Sequence, residues 1–143
     1  MSAILVGLEQ LFETRGSIEI LDNLDAKLFI TKRLFLIGKV PFSENRGSHA
    51  HKNCEQFILT IDGHCQIEIN DGTKIETFEL NSSGYGLLIP KMHWVEMSKF
   101  SNDCKVLVLA SEPYEDSDYI RSIDNFFFEL SKIADKDKCI EKN

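Results

Sequence analysis

The sequence predicts an all-β fold, a sandwich or small barrel, followed by one C-terminal helix. Short runs rich in Ile, Leu, Val and Phe recur with turn signals between them, including Asp62-Gly63 and Asn70-Asp71-Gly72 in quick succession. From Asp116 onward the apolar residues fall instead at three- and four-residue spacing. Strands without intervening helical patterns favour a double-sheet or closed β fold.

Taken in order, the first strand is Ser17–Leu21, after Arg15-Gly16. Lys27–Gly38 is an apolar run that contains Arg33. Gln56–Ile61 and Gln66–Asn70 flank the first Asp-Gly signal, and Lys74–Leu80 follows the second. Tyr85–Ile89, Trp94–Ser98 and Lys105–Ala110 complete the series. Tyr119, Ile120, Ile123, Phe126, Phe127, Leu130 and Ile133 then predict an amphipathic helix, with Asp116 or Ser117 as its cap. The charged segment from about residue 135 is expected to fray. No linker, repeat or low-complexity stretch divides residues 1–143, which read as one domain.

Composition narrows the function. The chain has 143 residues, 43% hydrophobic and 27% charged, enough apolar material for a core and too little charge for a disordered chain. No stretch approaches the ~20 apolar residues that span a bilayer. The N-terminus lacks the basic start of a secretory signal, so the cytoplasm is the expected compartment. A net charge of −7 argues against a general nucleic-acid binder. Cys54, Cys65, Cys104 and Cys139 are widely spaced and form no Cys-x-x-Cys pair, which favours packing thiols over a disulfide framework. Arginine is scarce, with Arg15, Arg33, Arg46 and Arg121 against twelve lysines. That scarcity draws attention to each of them, because arginine is the preferred bidentate partner of phosphate and carboxylate.

The densest polar constellation is Arg46-Gly47-Ser48-His49-Ala50-His51-Lys52. On an extended segment residues two apart share a face, so His49 and His51 project together. Two imidazoles in a cavity can exchange protons near neutrality or hold a metal; on an exposed loop they would be surface histidines. His49-x-His51-x3-Glu55 has the spacing of a first cupin metal motif, with His93 the only candidate fourth ligand. His93 comes three residues after Pro90 rather than five, a poor second motif. Arg33 in an apolar strand is either a strand-end ion pair or an inward cation awaiting an anion. Gln56, Tyr85 and Trp94 are candidates to contact a ligand, with packing as the plainer reading of each.

Three segments resemble the sugar 3,4-ketoisomerase family, also called WxcM-like or FdtA-type. Arg33-Leu34-Phe35 followed by Arg46-Gly47-Ser48-His49-Ala50-His51-Lys52 is the first. Gly86-Leu87-Leu88-Ile89-Pro90 leading to Trp94 is the second. Leu109-Ala110-Ser111, then Tyr114-Glu115-Asp116-Ser117-Asp118-Tyr119-Ile120-Arg121 and Asn125-Phe126, is the third, and Arg15-Gly16-Ser17 also fits. The resemblance spans Phe12 to Phe127. It implies an RmlC-like cupin jelly roll, a homodimer, acting on a dTDP-linked 4-keto-6-deoxy sugar without a metal or other cofactor. The ketone moves from C4 to C3 through an enediolate, and the product feeds deoxyamino sugars of lipopolysaccharide, S-layers or antibiotics.

Under that resemblance His51 is the base and His49 its partner in proton transfer or oxyanion stabilisation. Arg33 and Arg46 hold the diphosphate or the developing oxyanion, Gln56 and Trp94 contact sugar or base, and Arg15 and Arg121 touch substrate. Some relatives have tyrosine where Phe35 stands, so here the proton relay is histidine-only, uses Tyr85, or involves water. Others carry histidine just after the tryptophan, where this chain has Val95. Two other functions compete: a metal-dependent cupin enzyme using His49, His51, Glu55 and His93, and a nucleotide-sugar-binding cupin without turnover.

Overall fold

The computed structural model describes residues 1–21, 29–81 and 84–142. Twelve strands form among these residues: β1 (Ile4–Gly7), β2 (Glu9–Glu13), β3 (Gly16–Ile20), β4 (Arg33–Gly38), β5 (Arg46–His51) and β6 (Gln56–Asp62). β7 (His64–Asn70), β8 (Ile75–Asn81), β9 (Tyr85–Ile89), β10 (Trp94–Ser98), β11 (Lys105–Ala110) and β12 (Tyr119–Ile120) follow. One helix, α1 (Ile123–Glu141), closes the chain. No helix among the described residues is long and apolar enough to cross a membrane.

The strands build two five-stranded antiparallel sheets, in the orders β1-β9-β6-β11-β4 and β12-β5-β10-β7-β8. Alternation decides what lies between them, since every second side chain of a strand faces the same way. Ile58, Leu87, Ile89, Val106 and Val108 of the first sheet meet Ile67, Ile69, Leu80, Val95 and Met97 of the second in one buried cluster. Cys65 and Cys104 lie in that cluster as reduced packing residues, and burial pushes the Cys65 thiol up to about 12. The Asp-Gly signals turn where the sequence places them. At the second, the Asp71 carboxylate accepts from the backbone N–H of Thr73 and Lys74 at 2.8 and 2.9 Å, and Gly72 takes φ +98°.

Four boundaries differ from the sequence reading. β1 and β2 precede the first expected strand, and β2 pairs with β3 as a hairpin joined to neither large sheet. The apolar run expected as Lys27–Gly38 is a strand only from Arg33, with residues 27–28 outside the described residues. The helix starts at Ile123 rather than near Asp116, capped by Ser122, whose Oγ accepts from the Asn125 N–H at 3.1 Å. Asp116–Asp118 form a 3₁₀ turn, and Tyr119 and Ile120 pair with His51 and Ala50. A two-residue strand leaves too short a pattern to show period two, so its apolar pair merged into the helical spacing that follows. The helix also continues to Glu141 through the segment expected to fray, with Lys138 near its C-terminal end, where a cation is favoured.

α1 packs on the outer face of the second sheet at its β12–β5–β10 edge. Phe126, fully buried, packs with Ala50, Trp94 and Ile120, and Met92 and Leu130 border them. The helix is anchored by this one cluster near its N-terminus. Phe126→Ala is expected to lower the unfolding free energy by about 3–5 kcal/mol, the usual range for emptying a buried phenylalanine site. Urea unfolding of the two proteins measures the difference.

Candidate active site

The site is built around β5. Its first half departs from a regular strand: Gly47 has φ +89° and Ser48 φ +56°, opposite a register shift between Val95 and Glu96 of β10. A Cβ at Gly47 would lie 2.7 Å from the Val95 carbonyl oxygen, so close approach as well as φ requires glycine there. Glu96 braces the irregularity, accepting from Ser48 Oγ at 2.7 Å with one oxygen and from Trp94 Nε1 at 2.9 Å with the other. Beyond it the strand runs regularly and turns Ala50 outward under α1, with His49 and His51 on the opposite, inner side.

The two imidazoles stand edge to face, centroids 5.0 Å apart. His49 Nδ1 donates to the Gly47 carbonyl at 3.0 Å, and His51 Nδ1 donates to Asp118 Oδ2 at 2.8 Å. Because carbonyl and carboxylate oxygens only accept, both rings carry their proton on Nδ1 and keep Nε2 as an acceptor. His51 Nε2 is buried and bonds to no group among the described residues. Burial is the largest cause holding both rings below the ordinary histidine value; His49 is also opposed by His51 and falls to about 4. The Asp118 hydrogen bond pulls His51 upward without overcoming its burial. Both rings are therefore neutral at pH 7.

His49 borders a cavity of about 410 Å³ between the sheets. His49, Arg46, Gln56, Tyr114, Tyr119 and Arg121 supply its polar lining, and Phe35, Ile58, Val95 and Val108 part of its apolar lining. His51 lies behind the lining, its ring 4.4 Å from that of Tyr119. Arg33 adjoins it, with its guanidinium carbon 5.4 and 5.6 Å from the ring centres of Phe35 and Tyr114 and Nη1 donating to the Tyr119 hydroxyl at 3.4 Å. Arg121 lies 4.4 Å over the Tyr119 ring and pairs with Asp116 at 3.2 Å. Three of the four arginines thus converge on one cavity of an acidic protein.

Among the residues singled out from sequence, the fold gathers His49, His51, Arg33, Arg46, Gln56 and Arg121 there. It places others elsewhere. Trp94 is outward on β10, beneath α1, because its neighbour Val95 takes the inward position. Tyr85 packs against the core and donates to the Glu79 carbonyl at 2.6 Å. Arg15 is at the β2–β3 hairpin, its side chain 88% exposed and paired with Glu13 at 3.4 Å. His93 is buried beside the Asp71 turn, its Nδ1 donating to the Lys91 carbonyl at 2.9 Å. The set His49, His51, Glu55 and His93 does not converge. The one cluster of three potential metal donors among the described residues is His51, Cys54 and Asp118. In it His51 and Asp118 already bond to each other and Cys54 Sγ donates to the Glu55 carbonyl at 3.3 Å. Sequence reasoning gave Asp118, Tyr119 and Tyr114 no role, although all three lie in the Tyr114–Arg121 motif, because a helical reading from Asp116 carries no sign that the segment returns to pair with β5.

A double-sheet jelly roll with paired histidines between its sheets is a cupin-type barrel. The RmlC epimerase of Mycobacterium tuberculosis shares the fold, with a TM-score of 0.71 at 11% identity over 82% of this chain and 67% of that one. The family model FdtA, described as WxcM-like, C-terminal, matches residues 1–131, and the chain belongs to that family. It is 36% identical over 129 residues to the TDP-4-oxo-6-deoxy-alpha-D-glucose-3,4-oxoisomerase of Aneurinibacillus thermoaerophilus, covering 90% of this chain and 93% of that protein. A 3,4-ketoisomerase from Helicobacter canadensis superposes with a TM-score of 0.87 at 37% identity, over 92% of this chain and 98% of that one. A mutant of the 3,4-ketoisomerase QdtA from Thermoanaerobacterium thermosaccharolyticum, in complex with TDP-4-keto-6-deoxyglucose, superposes with a TM-score of 0.86 at 30% identity, over 92% and 95% of the two chains.

The lowered histidines set a pH dependence. Between pH 6.5 and about 4 the unfolded chain takes up a proton at residue 49 that the native site refuses. The stability contributed at this position is therefore complete above pH 6.5 and is lost as the pH falls toward 4. Urea midpoints measured across that window should decline in the parent and decline less in His49→Asn.

Proposed function

We propose that this protein is an isomerase that converts dTDP-4-keto-6-deoxyglucose into its 3-keto isomer. The observation that carries the reading is a neutral, buried His51 whose Nδ1–H is held by Asp118, leaving an unpartnered Nε2 beside a cavity ringed with arginine. A buried acceptor without a partner costs about 1–3 kcal/mol, which a substrate that supplies the missing proton recovers. The hydrogen on C3 is acidic because it lies next to the C4 carbonyl. His51 removes it, and the resulting imidazolium, facing the Asp118 carboxylate, returns it to C4. His49 stands against His51 as its partner in the proton transfers. Arg33, Arg46 and Arg121 meet the diphosphate or the oxyanion, and Gln56 orients the sugar through its amide. No cofactor takes part in these steps.

The proton spectrum of the purified protein with dTDP-4-keto-6-deoxyglucose in deuterated water tests this. Loss of the C3 proton signal and growth of a 3-keto species are expected, and the coupling at C4 reports the product's configuration. Binding without exchange or conversion would instead support a non-catalytic cupin. Asp118→Asn, which leaves the ring without its carboxylate and favours the wrong tautomer, is expected to lower kcat by about 10²–10⁴-fold with little change in KM.

The chain is further proposed to act as a cytoplasmic homodimer, a single cupin domain per subunit, supplying a 3-keto sugar for amination in deoxyamino-sugar synthesis, including lipopolysaccharide sugars. The outer face of the first sheet supports the dimer. Leu34 and Leu109 lie side by side across the strands and Leu36, Leu107 and Leu59 form the next row, with Leu34 and Leu36 58% and 61% exposed. Two copies of such a face related by a twofold axis bury each other's leucines. Light scattering should give twice the 16.4 kDa chain mass, and Leu36→Glu with Leu107→Glu should yield monomers. A parent that runs as a monomer at micromolar concentration overturns the assembly.

A further inference from the structure

Moving a ketone from C4 to C3 takes two proton transfers. One proton leaves C3 and arrives at C4. A second must arrive at O4, which becomes a hydroxyl, and leave O3, which becomes the carbonyl. The histidines account for the first. They are ill suited to begin the second, because both carry their proton on an Nδ1 already donating to Gly47 or Asp118, and neither Nε2 has a proton to give.

The geometry points to Tyr119 as a second catalytic residue, the acid and base that serves the substrate oxygens, an assignment that rests on the isomerase reading above. Tyr119 lines the cavity, and its ring lies 4.4 Å from His51 and 5.2 Å from His49. Its oxygen accepts from Arg33 Nη1 at 3.4 Å, so the hydroxyl hydrogen remains available to a substrate oxygen. The other two tyrosines have spent theirs: Tyr114 donates to Asp116 Oδ1 at 3.3 Å, and Tyr85 donates to the Glu79 carbonyl. Phe35, also in the lining, has no hydroxyl to offer.

The sequence of transfers balances. As His51 Nε2 takes the proton from C3, the phenol gives its proton to O4, and the C3–C4 enediol forms beside a phenolate and an imidazolium. The phenolate then takes the proton from O3 while the imidazolium returns its own to C4. C3 and C4 have exchanged roles, and both side chains are restored. Arg33, donating to the phenolic oxygen, and Arg121, over the ring, place two fixed positive charges where the phenolate's negative charge appears.

Tyr119→Phe keeps the ring against both imidazoles and removes only the oxygen. A kcat reduced at least 10²-fold is expected, within the range for losing one general acid–base group, with KM changed less than about threefold. Following C3 deuterium uptake into recovered substrate alongside product formation separates the two transfers. In Tyr119→Phe, exchange should slow at least tenfold less than conversion, whereas His51→Asn should lose both together. Unchanged TDP binding by calorimetry shows that the variant site is folded. A kcat within threefold of the parent, or exchange and conversion falling in equal measure, overturns the assignment to the oxygen transfer. A parent that binds the sugar nucleotide but neither exchanges nor converts it overturns the isomerase reading itself, and the role of Tyr119 with it.

Discussion

The grip of Asp118 on the end of β5 holds this site together. Its carboxylate takes the His51 Nδ1–H at 2.8 Å and the Asn53 backbone N–H at 2.7 Å, while its own carbonyl accepts from the Lys52 N–H at 2.9 Å. Three bonds from one residue, 67 positions away from the histidine, tie the returning C-terminal segment to β5. They seat Tyr119 opposite His51 and Arg121 at the cavity, and they fix which imidazole nitrogen keeps its proton. A carboxylate buried to 8% exposure is costly unless its lone pairs are filled, and here both oxygens are. The same bonds that satisfy it create the base.

The electrostatics follow from burial rather than from net charge. A chain of net charge −7 offers little long-range attraction for a diphosphate. Its few arginines act locally instead, in a space between two sheets where fixed cations are less screened than in water. Their presence also disfavours protonated histidine, adding to the desolvation that keeps His49 and His51 neutral. Substrate binding and base strength thus draw on one arrangement.

The outer face of the first sheet is apolar, whereas that of the second carries Gln66, Glu68, Glu79, Glu96 and Ser98 and is apolar only around Ala50, Trp94 and Ile120. That apolar part is covered from within the chain, by Phe126 and Leu130 of α1 over Ala50, Trp94 and Ile120. The first sheet carries Leu34 and Leu36 outward and exposed, with no helix over them among the described residues, while Phe57 in the same row is buried. This explains why Trp94, a candidate ligand contact from sequence, is a structural residue. A tryptophan on a strand beneath a helix buries a large ring, and Glu96 accepts its N–H.

Most of the strand order was legible because short β runs separated by Asp-Gly turns leave a local signature. Tyr85–Ile89, Trp94–Ser98 and Lys105–Ala110 stand where the spacing put them. The histidine pair was equally legible, since two residues apart on an extended segment means one face. The sequence by itself therefore determined the class of fold, the pair of imidazoles and the family motifs that carry them. Only the tertiary structure decided which face of β10 looks inward, that Asp118 and Tyr119 leave the helix to join β5, and that Arg15 and Tyr85 stand apart from the cavity. Those outcomes depend on pairings between residues tens of positions apart. Local propensity and periodicity report on a chain's immediate neighbours, and neither records which distant backbone will supply the hydrogen bonds.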